Sequence, residues 1–261
     1  VKGKGFPQAE SNPGAYHGVS KFDPKDPTSP LPSADSFSDV FGRHLTRLAA
    51  QDNRICAVTA AMKYATGLYH FSRRFQGQGR FFDVGIAEAH GVTFCAGLAS
   101  KGLLPVFAVY SSFLQRGYDQ LIHDCSIYPQ HVVLAIDRAG LVGEDGETHQ
   151  GIFDCAYLSS IPGTSIYAPA TYGELQLCLE EALYRRKGLC AVRYPRGAQP
   201  ALEPAYQADG IDLHLLGPRQ GKTLLVTYGR LYREVSQAHK ALTQQGEEIS
   251  LLKLTRIWPL E

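Results

Sequence analysis

Apolar residues in this chain gather into short unbroken runs, and stretches of helical spacing separate one run from the next. Phe37, Val40, Phe41, Leu45, Leu48 and Ala49 recur on one helical face behind Ser36, a residue type that caps helix N-termini. A strand at Ile55 to Thr59 follows, and further strand-length runs occur at 81–84, 104–110, 131–137, 165–167 and 190–194. Between them lie helical patterns beginning at Glu88 and Phe113, a short one near Asp154, and one over 172–184. Strands apolar along their whole length are buried on both faces, and strands separated by helices join a parallel sheet through right-handed crossovers. The pattern predicts an α/β fold with a doubly wound, mostly parallel sheet.

Proline marks the limits of that domain. Residues 1–33 carry Pro7, Pro13, Pro24, Pro27, Pro30 and Pro32 among polar residues and read as an extended linker arm, leaving 34–197 for the sheet domain. A second linker, 198–222, contains Pro200, Pro204 and Pro218. The remaining 223–261 show a strand at 223–227, an amphipathic helix near 235–242 and a strand at 249–254. One βαβ unit is too small to bury a core of its own, so this region is expected to begin a second domain that is cut short, or to lean on the first domain.

Charge and cysteine content narrow the chemistry. The 26 basic residues nearly balance 25 acidic ones, so no overall basic field exists to hold nucleic acid or an anionic membrane. The six cysteines stand singly inside apolar runs, the pattern of reduced core residues in a cytoplasmic protein. No window approaches the roughly 20 apolar residues of a membrane span. Val1 is not an initiator methionine; a fragment is expected, and a plastid transit peptide could have been removed upstream.

In open parallel sheets, reactive groups collect at the carboxyl ends of the strands. That rule selects 85–88, 110–116, 137–149 and 194–197, and predicts that they converge. In Asp83-Val-Gly-Ile-Ala-Glu88-Ala-His90, Glu88 falls in the first turn of a helix with Ile86, Ala87, Ala89, Val92 and Phe94 as apolar neighbours. Burial disfavours a charged carboxylate there and the helix N-terminus favours it. A residue that merely complements the helix dipole is the plainer reading of those eight positions. The loop 137–151 packs four glycines with Arg138, Asp145 and His149, a load that usually lines a site, although each alone reads more readily as a solvated surface group. Phe113 and Arg116 share a helical face where the ring could stack on a flat heterocycle; a core phenylalanine beside a solvated arginine is the alternative.

Taken together, DVGIAEAH, YSSFLQRGYDQ, AIDRAGLVGEDGETHQG and VRYPRG resemble the pyrimidine-binding domain of thiamine-diphosphate enzymes, most closely the 1-deoxy-D-xylulose-5-phosphate synthase family. VKGKGF with AYHGVSKFDP resembles that family's linker, and Arg256-Ile-Trp-Pro-Leu the start of its third domain. The resemblance implies a decarboxylating two-carbon transfer from pyruvate to glyceraldehyde 3-phosphate, in the non-mevalonate isoprenoid pathway that also feeds thiamine and pyridoxal synthesis. Glu88 would be the catalytic carboxyl group at the cofactor's pyrimidine N1′. Phe6, Phe113 and Arg116 would also bind the cofactor, Phe6 standing where the family usually has tyrosine. Arg138 and Arg196 would grip the acceptor phosphate in a forked geometry, with Tyr110, Asp145, His149 and His17 around the acceptor and the two histidines as proton-transfer groups.

The resemblance also implies partners. Magnesium and diphosphate are held in such enzymes by a Gly-Asp-Gly motif with a downstream asparagine, yet the only asparagines are Asn12 and Asn53. No metal ligand is therefore expected in this chain, a separate N-terminal diphosphate-binding domain is expected as its partner, and the full-length enzyme is expected to be a homodimer. Ala89, Glu147 and the segment Ala170-Thr-Tyr-Gly depart from the family pattern without removing a proposed catalytic side chain. Rival readings are transketolase, the β subunit of a 2-oxo-acid dehydrogenase, and a non-catalytic oligomerisation fragment.

Overall fold

The computed structural model describes residues 3–11, 13, 16, 22–23, 26–30, 35–201, 210–218 and 221–260. They form two compact units, 1–35 and 36–261. In the first, a short helix Pro7–Ser11 follows Phe6, whose ring meets Tyr16 edge-on at 5.7 Å, and Phe22–Asp23 pairs antiparallel with Asp26–Pro30. His17 lies outside the described residues.

The second unit opens with α1 (Phe37–Gln51), whose start is fixed by a reciprocal cap: the Ser36 hydroxyl accepts from the Asp39 amide while Asp39 accepts from the Ser36 amide. The chain continues through β1 (Ile55–Thr59), α2 (Tyr69–Phe75), β2 (Phe81–Asp83), α3 (Glu88–Ala99), β3 (Leu104–Tyr110) and α4 (Ser111–Leu114). Beyond these come β4 (Val132–Asp137), α5 (Asp154–Ser159), β5 (Ser165–Tyr167), α6 (Tyr172–Tyr184), β6 (Leu189–Arg193), β7 (Leu213–Leu216), β8 (Thr223–Tyr228), α7 (Tyr232–Gln244), β9 (Ile249–Leu254) and β10 (Arg256–Trp258).

Seven strands make one sheet in the order β10-β5-β6-β4-β3-β1-β2, parallel throughout except for β10. Every residue of β1, β3, β4 and β6 is buried, as expected for strands covered on both faces. One face packs Phe37, Phe41 and Leu45 of α1, Phe71 of α2 and Leu175 and Leu179 of α6 against Ala57, Val106 and Val133. The other packs Val92 and Cys95 of α3 with Leu114, Leu121 and Leu158 against Val58, Phe107 and Leu134. The fold is the doubly wound α/β sheet that the pattern predicted.

Two short strands were not anticipated. Leu213–Leu216, placed by composition in the second linker, is β7 and pairs antiparallel with β9, which pairs parallel with β8 in a separate three-stranded sheet. The chain then re-enters the large sheet as β10, antiparallel to β5. Lys253 of β9 is fully buried, ion-paired with Glu174 of α6 and donating to the Thr255 hydroxyl at 2.7 Å. That long-range pair, rather than apolar burial alone, ties β9 to the main domain. The six cysteines are free; five are buried and Cys155 is half-buried. No helix among the described residues is long and apolar enough to cross a membrane.

Candidate active site

Asp83, the last residue of β2, shapes the turn that follows: its Oδ1 accepts from the Ala61 amide at 2.8 Å and the Gly85 amide at 3.1 Å. The turn delivers Glu88 as the first residue of α3, only 3% exposed. Arg116, from the segment after α4, donates through Nη1 to Glu88 Oε1 at 2.5 Å. Among the described residues this is the one hydrogen bond to the Glu88 side chain. Ile86, expected to shield the carboxylate, is instead 83% exposed. The close packing is supplied from the other side, where Gly117 lies against Val92 and the Glu88 carbonyl. Ile86 precedes the helix on its solvent side, so sequence proximity did not translate into contact.

An aromatic cluster adjoins that pair. Tyr110 and Phe113 stand nearly parallel with ring centroids 5.5 Å apart, and the His149 ring meets Phe113 edge-on at 5.1 Å and Tyr110 at 6.0 Å. Arg116 lies 5.0 Å from the Phe113 centroid, so the predicted shared face of Phe113 and Arg116 is realised. His149 Nδ1 is 2.9 Å from the Thr148 hydroxyl. Burial pushes the Tyr110 hydroxyl up to about 12, keeping it a neutral donor at physiological pH.

Across Tyr110 stands a denser charged group. Asp137 ends β4 completely buried, accepting from the Ser38 hydroxyl at 2.6 Å and from the Arg138 amide at 2.7 Å. Arg138 adopts a left-handed backbone, φ 58°, and its guanidinium lies 4.4 Å from the Tyr110 centroid. Nη1 of Arg138 reaches the Ala65 carbonyl at 2.7 Å and Asp137 at 3.0 Å, while Nε faces Asp145 Oδ2 at 3.4 Å. Burial works against the Arg138 charge, but the neighbouring Asp137 overrides it and holds the guanidinium firmly protonated. Burial likewise pushes the Asp137 carboxyl upward, against the pull of Arg138 and of the Ser38 hydroxyl. The other oxygen of Asp145 faces Arg196 Nε at 3.1 Å. With Nε and Nη1 occupied, Arg138 presents Nη2 rather than the expected fork. Close approach at the loop's end requires glycine: a Cβ on Gly151 would sit 2.2 Å from the Arg138 carbonyl oxygen.

These contacts chain together the four strand-end segments that the sheet rule selected. Glu88–Arg116 joins the first two, Tyr110–His149 the second and third, and Asp145–Arg196 the third and fourth. The sequence profile described as transketolase, pyrimidine binding domain, matches residues 34–200, well over half of the chain. The chain belongs to this family.

Within it, the chain is homologous to 1-deoxy-D-xylulose-5-phosphate synthases. It is 43% identical to that of Clostridium tetani over 262 residues, covering 100% of this chain and 42% of the relative. To that of Desulforudis audaxviator it is 45% identical over 264 residues, covering 100% and 41%. The chain thus spans about two fifths of the length of these relatives. Among solved structures, transketolase from Campylobacter jejuni superposes with a TM-score of 0.75 at 19% identity, covering 85% of this chain and 35% of that one. A split-gene transketolase, an inactive β4 tetramer, gives 0.72 at 21% identity, covering 86% and 72%. At such identities the likeness establishes the transketolase pyrimidine-domain fold.

Several groups of this pyrimidine-domain site escaped the sequence reading. Asp137 was noted only as a strand end, although an acidic residue closing an otherwise apolar run is a signal that the carboxylate must be paired inside. Ser38 carries no signal of its own in the sequence, yet its hydroxyl reaches Asp137 of β4. The loop 60–67 was not singled out, yet the Ala65 carbonyl holds Arg138, and Ala61 takes a left-handed conformation, φ 59°. Among the described residues no three His, Cys, Asp or Glu side chains stand close enough to share a metal ion.

Proposed function

We propose that this chain supplies the pyrimidine-binding half of a thiamine-diphosphate site in an enzyme that joins pyruvate to D-glyceraldehyde 3-phosphate, with loss of carbon dioxide, to give 1-deoxy-D-xylulose 5-phosphate. The observation that carries the reading is Glu88: a buried carboxylate at the carboxyl end of a parallel sheet, one oxygen bonded to Arg116, whose guanidinium in turn lies over the Phe113 ring. That donor set fits an aminopyrimidine, which needs a carboxyl group at a ring nitrogen and an apolar face to lie on.

In this reading Glu88 hydrogen-bonds the pyrimidine N1′ and so biases the protonation of the ring, while Phe113 offers the stacking surface and Arg116 steadies the carboxylate. Phe6 contributes an apolar contact without a hydroxyl. When bound, thiamine diphosphate supplies the nucleophilic carbon for the two-carbon transfer. On the acceptor side Arg138 and Arg196 bind phosphate, the neutral Tyr110 hydroxyl donates a hydrogen bond, and His149 with His17 exchanges protons with the acceptor oxygens. Before the acceptor binds, Asp145 orients these groups. Diphosphate and Mg2+ belong to a separate N-terminal domain, so the isolated chain is inactive and the full-length enzyme is a homodimer in the cytoplasm.

The test is reconstitution. The chain is mixed with a separately expressed diphosphate-binding domain of a relative, thiamine diphosphate and magnesium, and carbon dioxide release from pyruvate is followed with and without glyceraldehyde 3-phosphate. Aldehyde-dependent release supports the reading. Transfer from a ketose donor or to a lipoyl acceptor would replace it with one of the rival thiamine enzymes, and no release from folded, associated pieces would overturn it.

A further inference from the structure

Asp145 stands between two arginines from different loops, with one carboxylate oxygen toward each: Oδ2 is 3.4 Å from Arg138 Nε and Oδ1 is 3.1 Å from Arg196 Nε. A single carboxylate bridging two guanidiniums fills the position a phosphate would take between them. The charges make this consequential. Arg138 and Arg196 carry two positive charges, and Asp137 and Asp145 carry two negative ones, so this group of four has no net attraction for a dianion. Asp137 cannot leave, because it is fully buried and bound to Ser38 and to the Arg138 amide. Asp145 can: its side chain is 20% exposed, and among the described residues its ion pairs are with these two arginines.

The surrounding turn is built to let it go without unravelling. Gln150 staples the loop on both sides of Asp145, accepting from the Val142 amide at 3.0 Å and donating to the Gly146 carbonyl at 2.9 Å. Below the staple, the Gly140 and Gly151 backbones pair. Between the stapled positions lies the short turn Gly143–Asp145, and Gly143 and Gly146 both adopt positive φ, 54° and 82°, with nothing packed where a Cβ would be. Movement of Asp145 is therefore confined to a three-residue turn in open space.

We propose that Asp145 is an internal occupant of the two-arginine anion site, which a phosphorylated ligand must displace, freeing the turn 143–145 as it binds. Arg196 then gains a ligand oxygen at Nε, and Arg138 adds its uncommitted Nη2. This rests on the assignment of Arg138 and Arg196 to the acceptor phosphate. It makes Asp145 a specificity-determining group: an uncharged aldehyde gains nothing by displacing it, whereas a phosphate regains both guanidiniums.

The test uses all 261 residues of this chain with inorganic phosphate as probe, titrated by calorimetry. Asp145→Asn, close to isosteric, and Asp145→Ala are expected to bind phosphate at least tenfold more tightly than the parent, and Arg196→Gln to lose the gain. In the parent chain, phosphate is expected to accelerate amide exchange over 143–146 while exchange in β4 is unchanged, a readout that needs no variant to fold. Equal or weaker phosphate binding by the folded Asp145 variants, or slower exchange of the turn on adding phosphate, would overturn the proposal. Failure here with intact aldehyde-dependent decarboxylation in the reconstituted enzyme removes only the role of Asp145; the reverse result removes the functional reading and leaves the anion site standing.

Discussion

Two arginine–carboxylate pairs flank the same aromatic cluster, and they are built on different principles. Glu88 and Arg116 meet through a single hydrogen bond, with the carboxylate 4% exposed and the guanidinium 57% exposed. Asp137 and Arg138 are 0% and 13% exposed, and between them they engage Ser38, Ala65, Asp145 and the face of Tyr110. In the first pair water already solvates the arginine, so only the carboxylate depends on having a partner. In the second, removal of either member strands a buried charge. Cofactor chemistry needs a carboxyl group that can accept a new partner, and anion recognition needs a cation whose position does not depend on the ligand, so the contrast follows the division of labour proposed for the two sides.

The contrast is exposed to attack at four points. Asp137→Ala should be the most damaging, costing about 3–5 kcal/mol because it leaves the buried Arg138 guanidinium with only the more distant Asp145 opposite it; urea unfolding measures it, and a cost under about 1 kcal/mol would show that water already reaches Arg138. Asp83→Ala removes the acceptor for the Ala61 and Gly85 amides. It should cost about 2 kcal/mol, roughly one per hydrogen bond, and should speed amide exchange in the turn before Glu88 but not in β4. Arg116→Ala should cost about 1–2 kcal/mol, since it takes one hydrogen bond from the buried Glu88 carboxylate whereas Asp137→Ala takes several from its neighbours; a loss equal to that of Asp137→Ala would erase the distinction between the pairs. Ile86→Ser, at a solvent-facing position, should change stability by no more than about 0.5 kcal/mol. A larger drop in melting temperature would restore the shielding role that the sequence suggested for Ile86.

How far sequence reached into this molecule depended on whether the deciding interaction was local. Strands Ile55–Thr59 and Leu104–Tyr110 match the apolar runs residue for residue, because fully covered strands need an unbroken apolar string and turn-forming residues bound it. Strand Leu213–Leu216 was lost in a proline-bearing stretch, as its alternating exposure makes sense only beside β9. Arg256–Trp258 carries no strand signature of its own and is recruited by pairing with β5. The burial of Lys253 depends on Glu174, 79 positions earlier, which no window can see. At the site, the strand-end rule placed Glu88, Tyr110, Phe113, Arg116, Arg138, Asp145, His149 and Arg196 in one connected region. It said nothing of partners: that Arg116 holds Glu88, that Asp137 holds Arg138, or that Asp145 spans two arginines are facts of packing between segments distant in the chain.

The claim on which the rest depends is that Glu88 is the group that engages the pyrimidine. It is tested most directly by comparing parent and Glu88→Ala chains in the reconstituted assembly, with circular dichroism and melting recorded alongside carbon dioxide release from pyruvate. The account predicts a fall in turnover of about three orders of magnitude with the fold retained. Near-normal turnover by a folded Glu88→Ala chain would contradict it.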